Sequence, residues 1–297
     1  MKFKNIYKDN SLVSKTGILF LLIITSFILH VILVVFLIML FDSNGMYLIQ
    51  NHDLNNQICV NYLKLVQLFA AVGLFITPTL LYTYLTGFNF KFISITIKEV
   101  LLTILVMIFI TPFVGLLLEW NMQISFPEWL SLFDKNSTEI VTAFLSMQTI
   151  WDLFYTLLVI AVVPAIGEEL VFRGYLQQTI QKYLQYSHFA ILITALFFSV
   201  IHLEIQAIIP RFILGVLLGY LYYWSGSLWL PILGHFVNNA QAIIFSYPFF
   251  GLEESTYFAF SKSTPNPVIG LFSFISAGFL IYILYKTLRL RKVKTGS

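Results

Sequence analysis

Three short patterns in the second half of the chain place ionisable side chains in strongly apolar surroundings: Glu168-Glu169-x-x-x-Arg173, Phe198-x-x-x-His202 and His235-x-x-x-Asn239. Ionisable groups at membrane depth are costly and are functional candidates by default. Successive helical residues point about 100° apart, so adjacent glutamates face different ways. Glu169 and Arg173 are four apart and can pair on one face, which leaves Glu168 for chemistry. Phe198 can pack beside the His202 imidazole, and His235 and Asn239 share a face. A carboxylate pair, two imidazoles and an amide are the parts for activating a water and stabilising an oxyanion. Each has a bland reading beside this one. The acids could merely neutralise cations, and a lone His or Asn in a membrane helix is often glue between helices. Arg173 accounts for one acid only, and no other cation lies near the second in sequence.

The elements that must position these residues are apolar stretches long enough to cross hydrocarbon, about 20 residues at roughly 1.5 Å each. They predict eight spans, at 17–41, 61–86, 99–118, 151–172, 188–203, 207–224, 228–247 and 268–287. The fold class is therefore all-α, a polytopic membrane helical bundle of about eight transmembrane helices. Spans five and six are short and nearly contiguous, which predicts a tight hairpin or a partly re-entrant pair. Pro78 and Pro112 read as kinks tolerated by neighbouring helices. Pro164 and Gly167 loosen the turn ahead of the two acids. Gly215 and Gly219 form a GxxxG suited to close helix packing. His30 reads as an interhelical hydrogen-bond partner, and Lys64 as a residue that snorkels.

Loop charges orient the spans. Lys91, Lys98, Arg173, Lys182 and the tail Lys286, Arg289, Arg291, Lys292 and Lys294 put both termini in the cytoplasm, in the plasma (cytoplasmic) membrane. In that topology Glu168 and His235 lie toward the cytoplasmic side and His202 near the far end of its helix. The three converge only if that helix is short, starts deep or turns back.

Composition sets the outer bounds. The chain is 59% hydrophobic and only 10% charged over 297 residues, against roughly 25% charged in soluble domains. A net charge of +3, clustered at the ends, gives no nucleic-acid surface, and the lone Cys59 excludes a disulfide and a CxxC metal site. The first apolar stretch is longer than a signal-peptide core and lacks a small-residue cleavage site, so a retained anchor is expected. The organisation expected is helices 1–3 with an outer loop at 1–150, a catalytic core of helices 4–7 at 151–247, and a loop, last helix and basic tail at 248–297. Within 119–150, the residues Trp120, Phe126, Trp129, Leu130, Leu132 and Phe133 predict an amphipathic interfacial helix.

No HExxH, serine elbow or phosphate loop is present. The ordered set of three patterns instead resembles the motifs of the CAAX protease and bacteriocin-processing family, also called the Abi or type II CAAX prenyl endopeptidase family. Glu168, Glu169 and Arg173 match its first motif, Phe198 and His202 its second, and His235 and Asn239 its third. The resemblance covers about residues 150–245. It implies a helical membrane endopeptidase whose partners are the bilayer and a membrane-associated protein or peptide substrate. It further implies that Glu168 activates the attacking water, assisted by His202. Asn239, with His235, stabilises the oxyanion, and Glu169 and Arg173 support the site. The family is described both as metal-dependent and as a metal-free glutamate protease. Zinc on Glu168, His202 and His235 and a metal-free mechanism both stay open.

Two other functions compete. A non-catalytic scaffold or immunity-type binding protein would keep the fold without needing every polar residue. An ion-coupled transporter would use the same acids and histidines, but an inverted repeat is missing and the cluster sits in one half.

Overall fold

A computed structural model describes residues 3–127, 138–248 and 266–295. Among them every predicted span is a helix and no strand occurs. The helices that carry the predicted spans are α1 Leu12–Phe41, α2 Gln57–Thr86, α3 Ile97–Met122, α4 Ile150–Leu184, α5 Ser187–Val200, α6 Ile208–Ser225, α7 Trp229–Ser246 and α8 Pro267–Thr295. The chain is an integral membrane protein by the length and apolarity of these helices: six of those described are long and apolar enough to cross a bilayer. The segment of the expected interfacial helix that runs over 128–137 lies outside the described residues.

Two helices differ from simple spans. At 14 residues α5 is about 21 Å long, short of the roughly 30 Å of hydrocarbon. The 18-residue α7 carries His235, Asn238, Asn239 and Gln241, whose polarity keeps it out of the six.

Local signals set the helix ends. The Ser11 side chain caps α1 by accepting from Ser14 N at 3.2 Å. A capping box of Thr96 and Glu99 starts α3. At the start of α4 the Asp152 carboxylate accepts from Thr149 N at 2.8 Å and Gln148 N at 3.1 Å. Gly226, at φ 67°, stops α6 in a left-handed conformation that suits glycine. Wider π turns interrupt α2 at Val72–Ile76 and α4 at Leu157–Val162 and Leu170–Gln177. Pro78 and Pro164 each follow such a turn by two residues. The local change of winding accommodates a residue that has no N–H for the ladder.

The chain divides into two compact units, residues 1–90 with 155–171, and residues 91–154 with 172–297. In the first, α1 packs along α2, and α2 packs on the middle of α4. His30 makes a hydrogen bond through Nε2 with Thr77 Oγ1 at 3.3 Å, so it joins α1 to α2 as its position suggests. Lys64 does not snorkel. It is fully buried and donates to Thr156 Oγ1 at 2.8 Å, because its face of α2 turns to α4 rather than to lipid.

In the second unit Val106, Met107 and Ile110 of α3 pack with Leu217, Leu218 and Leu221 of α6, Leu230 of α7 and Leu284 and Leu288 of α8. Polar ties close one end of this core. Arg291 Nη1 meets Glu99 Oε2 at 2.8 Å, and Arg291 Nη2 donates to Ser225 O at 2.6 Å. Ser227 Oγ donates to Ile93 O at 2.7 Å.

Candidate active site

The two glutamates follow Pro164 on a single α-helical stretch between the π turns of α4, Val163–Glu169. Gly167 precedes them because α2 passes close by: a Cβ there would stand 2.6 Å from Phe75 Cβ. Both acids are buried, Glu168 at 9% exposure and Glu169 at 0%. They belong to the first unit.

In the second unit the motif residues gather around one aromatic ring. The Arg173 guanidinium lies 4.6 Å from the Phe198 ring centroid, a cation–π distance. His202 sits 5.0 Å and His235 5.7 Å from the same ring, both edge-on. Phe172 makes a fourth contact, at 5.2 Å. The four-residue spacing of Phe198 and His202 thus does what a helical face allows, and the ring also reaches His235 from α7. Convergence of the two histidines, which the loop charges made difficult, follows from the shortness of α5: the helix ends at Val200 and His202 stands on the turn beyond it.

His202 Nδ1 is 2.7 Å from Phe198 O. A carbonyl only accepts, so Nδ1 is the donor in this bond. His235 is buried at 5% exposure. One turn on, Asn239 is half-buried, and its Oδ1 accepts from Asn238 Nδ2 at 3.1 Å.

Arg173 also anchors α4 to α6. Its Nη2 donates to Gly215 O at 3.0 Å, and one turn later Gln177 Nε2 donates to Gly219 O at 3.1 Å. The two glycines meet α5 with their other side. A Cβ on Gly215 would stand 3.1 Å from Ala195 Cβ, and one on Gly219 would stand 2.8 Å from Ile191 Cγ2. The GxxxG therefore gives close packing, as its spacing suggests, and its carbonyls accept side-chain hydrogen bonds as well. Gln177 escaped the sequence reading, although its position four residues after Arg173 puts it on the same face.

Among the described residues no group of three or more His, Cys, Asp or Glu is arranged to hold a metal ion.

No curated protein and no solved structure matches the chain. Residues 150–241, which include Glu168, Glu169, Arg173, His202, His235 and Asn239, match the family model described as Type II CAAX prenyl endopeptidase Rce1-like, and on that segment the resemblance carried by the three motifs holds.

Proposed function

We propose that this chain is an intramembrane endopeptidase of the CAAX type, hydrolysing a peptide bond in a membrane-associated protein or peptide. One observation carries the reading. The Phe198 ring gathers Arg173 of α4, His202 of the turn after α5 and His235 of α7, within the segment that matches a peptidase family.

The chemistry needs a base, an oxyanion partner and a proton for the leaving amine. The family resemblance assigns Glu168 to take a proton from water as the oxygen attacks the scissile carbonyl carbon, and His202 to assist it. The carbonyl π pair moves onto oxygen, and Asn239, with His235, donates to the resulting oxyanion. Collapse of the tetrahedral species breaks the C–N bond, and the proton held by Glu168 passes to the amine. Arg173, stacked on Phe198 and tied to Gly215 O, holds the ring against which the histidines rest. Glu169 serves as the supporting acid. The protein resides in the plasma membrane with both termini cytoplasmic, an arrangement any even number of crossings permits and the loop lysines and arginines favour.

The test compares protein termini in membranes of cells carrying the intact chain with those carrying Glu168→Gln at matched expression. Termini that vanish in the variant name the substrate and support the reading; a chelator added to the intact enzyme then decides metal dependence. Unchanged termini, with the variant folded and any cellular phenotype retained, move the assignment to a scaffold or immunity-type binding protein.

A further inference from the structure

We propose that Asn121, on a helix outside the family-matched segment, is a positioning residue for His202; its relevance to catalysis rests on the endopeptidase reading. Asn121 is the next-to-last residue of α3 and is fully buried. A primary amide at 0% exposure must place both its donor and its acceptor. Both go to the connection that follows His202. Nδ2 donates to Ile205 O at 2.7 Å, and Ile209 N donates to Oδ1 at 3.4 Å. One side chain thus ties the turn after α5 to the first residues of α6.

That turn is under tension at the residue beside the histidine. Leu203 has φ 55°, a left-handed conformation that a side chain larger than glycine or asparagine rarely adopts. Such residues persist only where their surroundings over-determine them. Three further ties surround it. Leu203 N donates to Val200 O at 3.0 Å, Ser199 Oγ donates to Ile208 O at 2.5 Å, and Arg211 pairs with Glu204. Asn121 alone among these reaches in from another helix. Without it only the local ties oppose the return of Leu203 to ordinary backbone geometry. That rotation is transmitted directly to the His202 Cα and swings the imidazole away from its contacts with Phe198 O and the Phe198 ring.

The sequence offers a reason for the arrangement. α5 is too short to fix its last residues by extension into a further turn, so His202 has no helical successor to hold it. A buried amide on α3 supplies that restraint.

The test reads His202 directly and so does not depend on a known substrate. The full-length protein in detergent micelles is treated with diethyl pyrocarbonate at fixed pH, and carbethoxylation at each histidine is followed by peptide mass spectrometry. His188, exposed at the opposite end of α5, is the internal reference. Asn121→Ala is expected to change the His202 rate about three- to tenfold, the scale that one or two lost hydrogen bonds imply, with His188 unchanged. Asn121→Asp, which is isosteric and keeps the acceptor for Ile209 N, is expected to fall between, and stands in if the alanine variant does not fold. On a farnesylated peptide ending in a CAAX box, both variants are expected to lower kcat and leave KM unchanged. An unchanged His202 rate, or a change shared equally by His188, overturns the proposal. A wild-type protein that cleaves nothing while His202 still responds to Asn121 overturns the endopeptidase reading and leaves the coupling standing.

Discussion

Arg173 donates to the backbone carbonyl of Gly215 at 3.0 Å, so a motif side chain on α4 is bonded directly to the first glycine of the GxxxG on α6. A helical carbonyl already holds one hydrogen bond along its own helix and has a second lone pair to give. The absence of a side chain at Gly215 serves the other side of α6, where a Cβ would stand 3.1 Å from Ala195 Cβ of α5. Arg173→Lys keeps the charge but loses the planar fork and the stack on Phe198. The loss is expected to be about 1–3 kcal/mol, read as a lower melting temperature in detergent micelles.

Phe198 is the common contact of Arg173, His202 and His235. Phe198→Leu keeps an apolar side chain of similar bulk but removes the ring that all three face. Cleavage is expected to fall by on the order of 100-fold, because small misplacements at a reacting centre are amplified in rate. Quantitative comparison of product termini at matched protein levels checks it.

Glycines separate sharply by surroundings. A Cβ at Gly167 would lie 2.6 Å from Phe75 Cβ, an atom held by its own backbone, whereas one at Gly278 would meet nothing within 4 Å. Gly167→Ala is expected to destabilise by about 1–3 kcal/mol through overpacking. Gly278→Ala is expected to stabilise by roughly 0.5–1 kcal/mol as a helical glycine replaced by alanine. Thermal melts of the two variants should move in opposite directions.

Arg291 closes the far end of the second unit. Removing it leaves the Glu99 carboxylate, 1% exposed, without the guanidinium that stands 2.8 Å away. Because Arg291 itself is 17% exposed, Arg291→Ala should cost less than the roughly 3–5 kcal/mol of a fully buried pair broken on one side. Arg291→Ala combined with Glu99→Gln should recover part of that loss, which a double-mutant cycle of melting temperatures measures.

Asp42, just past α1, accepts from the Tyr62 hydroxyl at 2.7 Å and from Asn44 N at 2.9 Å. The tyrosine bond first, then the backbone bond, holds its carboxyl below the usual value. A group with a depressed folded pKa contributes stability that is present above its unfolded pKa, about 3.9, and is lost as pH falls through the lower folded value. Tyr62→Phe should therefore raise the Asp42 titration toward the ordinary range, observable by isotope-edited infrared spectroscopy of the carboxylate, and should flatten the loss of stability on acidification.

Much of this architecture is written in the apolar runs. All eight helices follow from stretches that cannot be solvated, and the motif residues from the cost of ionisable groups among them. What the runs do not carry is which neighbour each face meets. Lys64 could have reached water along its stem. Its burial depends on α4 passing beside it, which no local pattern states. Asn121 and Gln177 belong to no motif and matter only through the backbone atoms they touch on α6 and the turn before it. The place of His202 beyond the end of α5 was equally hidden, because a hydropathy run over 188–203 does not reveal that the helix stops at Val200.

The Lys64–Thr156 bond spans 92 residues of sequence. At roughly 5–20 residues per second of synthesis, α2 leaves the ribosome some seconds to tens of seconds before the hydroxyl its lysine will meet has been made. Through that interval the ammonium has to be hosted by water, lipid headgroups or the insertion machinery. Snorkelling is thus a property of the nascent helix and burial a property of the finished one, and the arrival of α4 marks the moment at which the early helices of this protein become committed to their places.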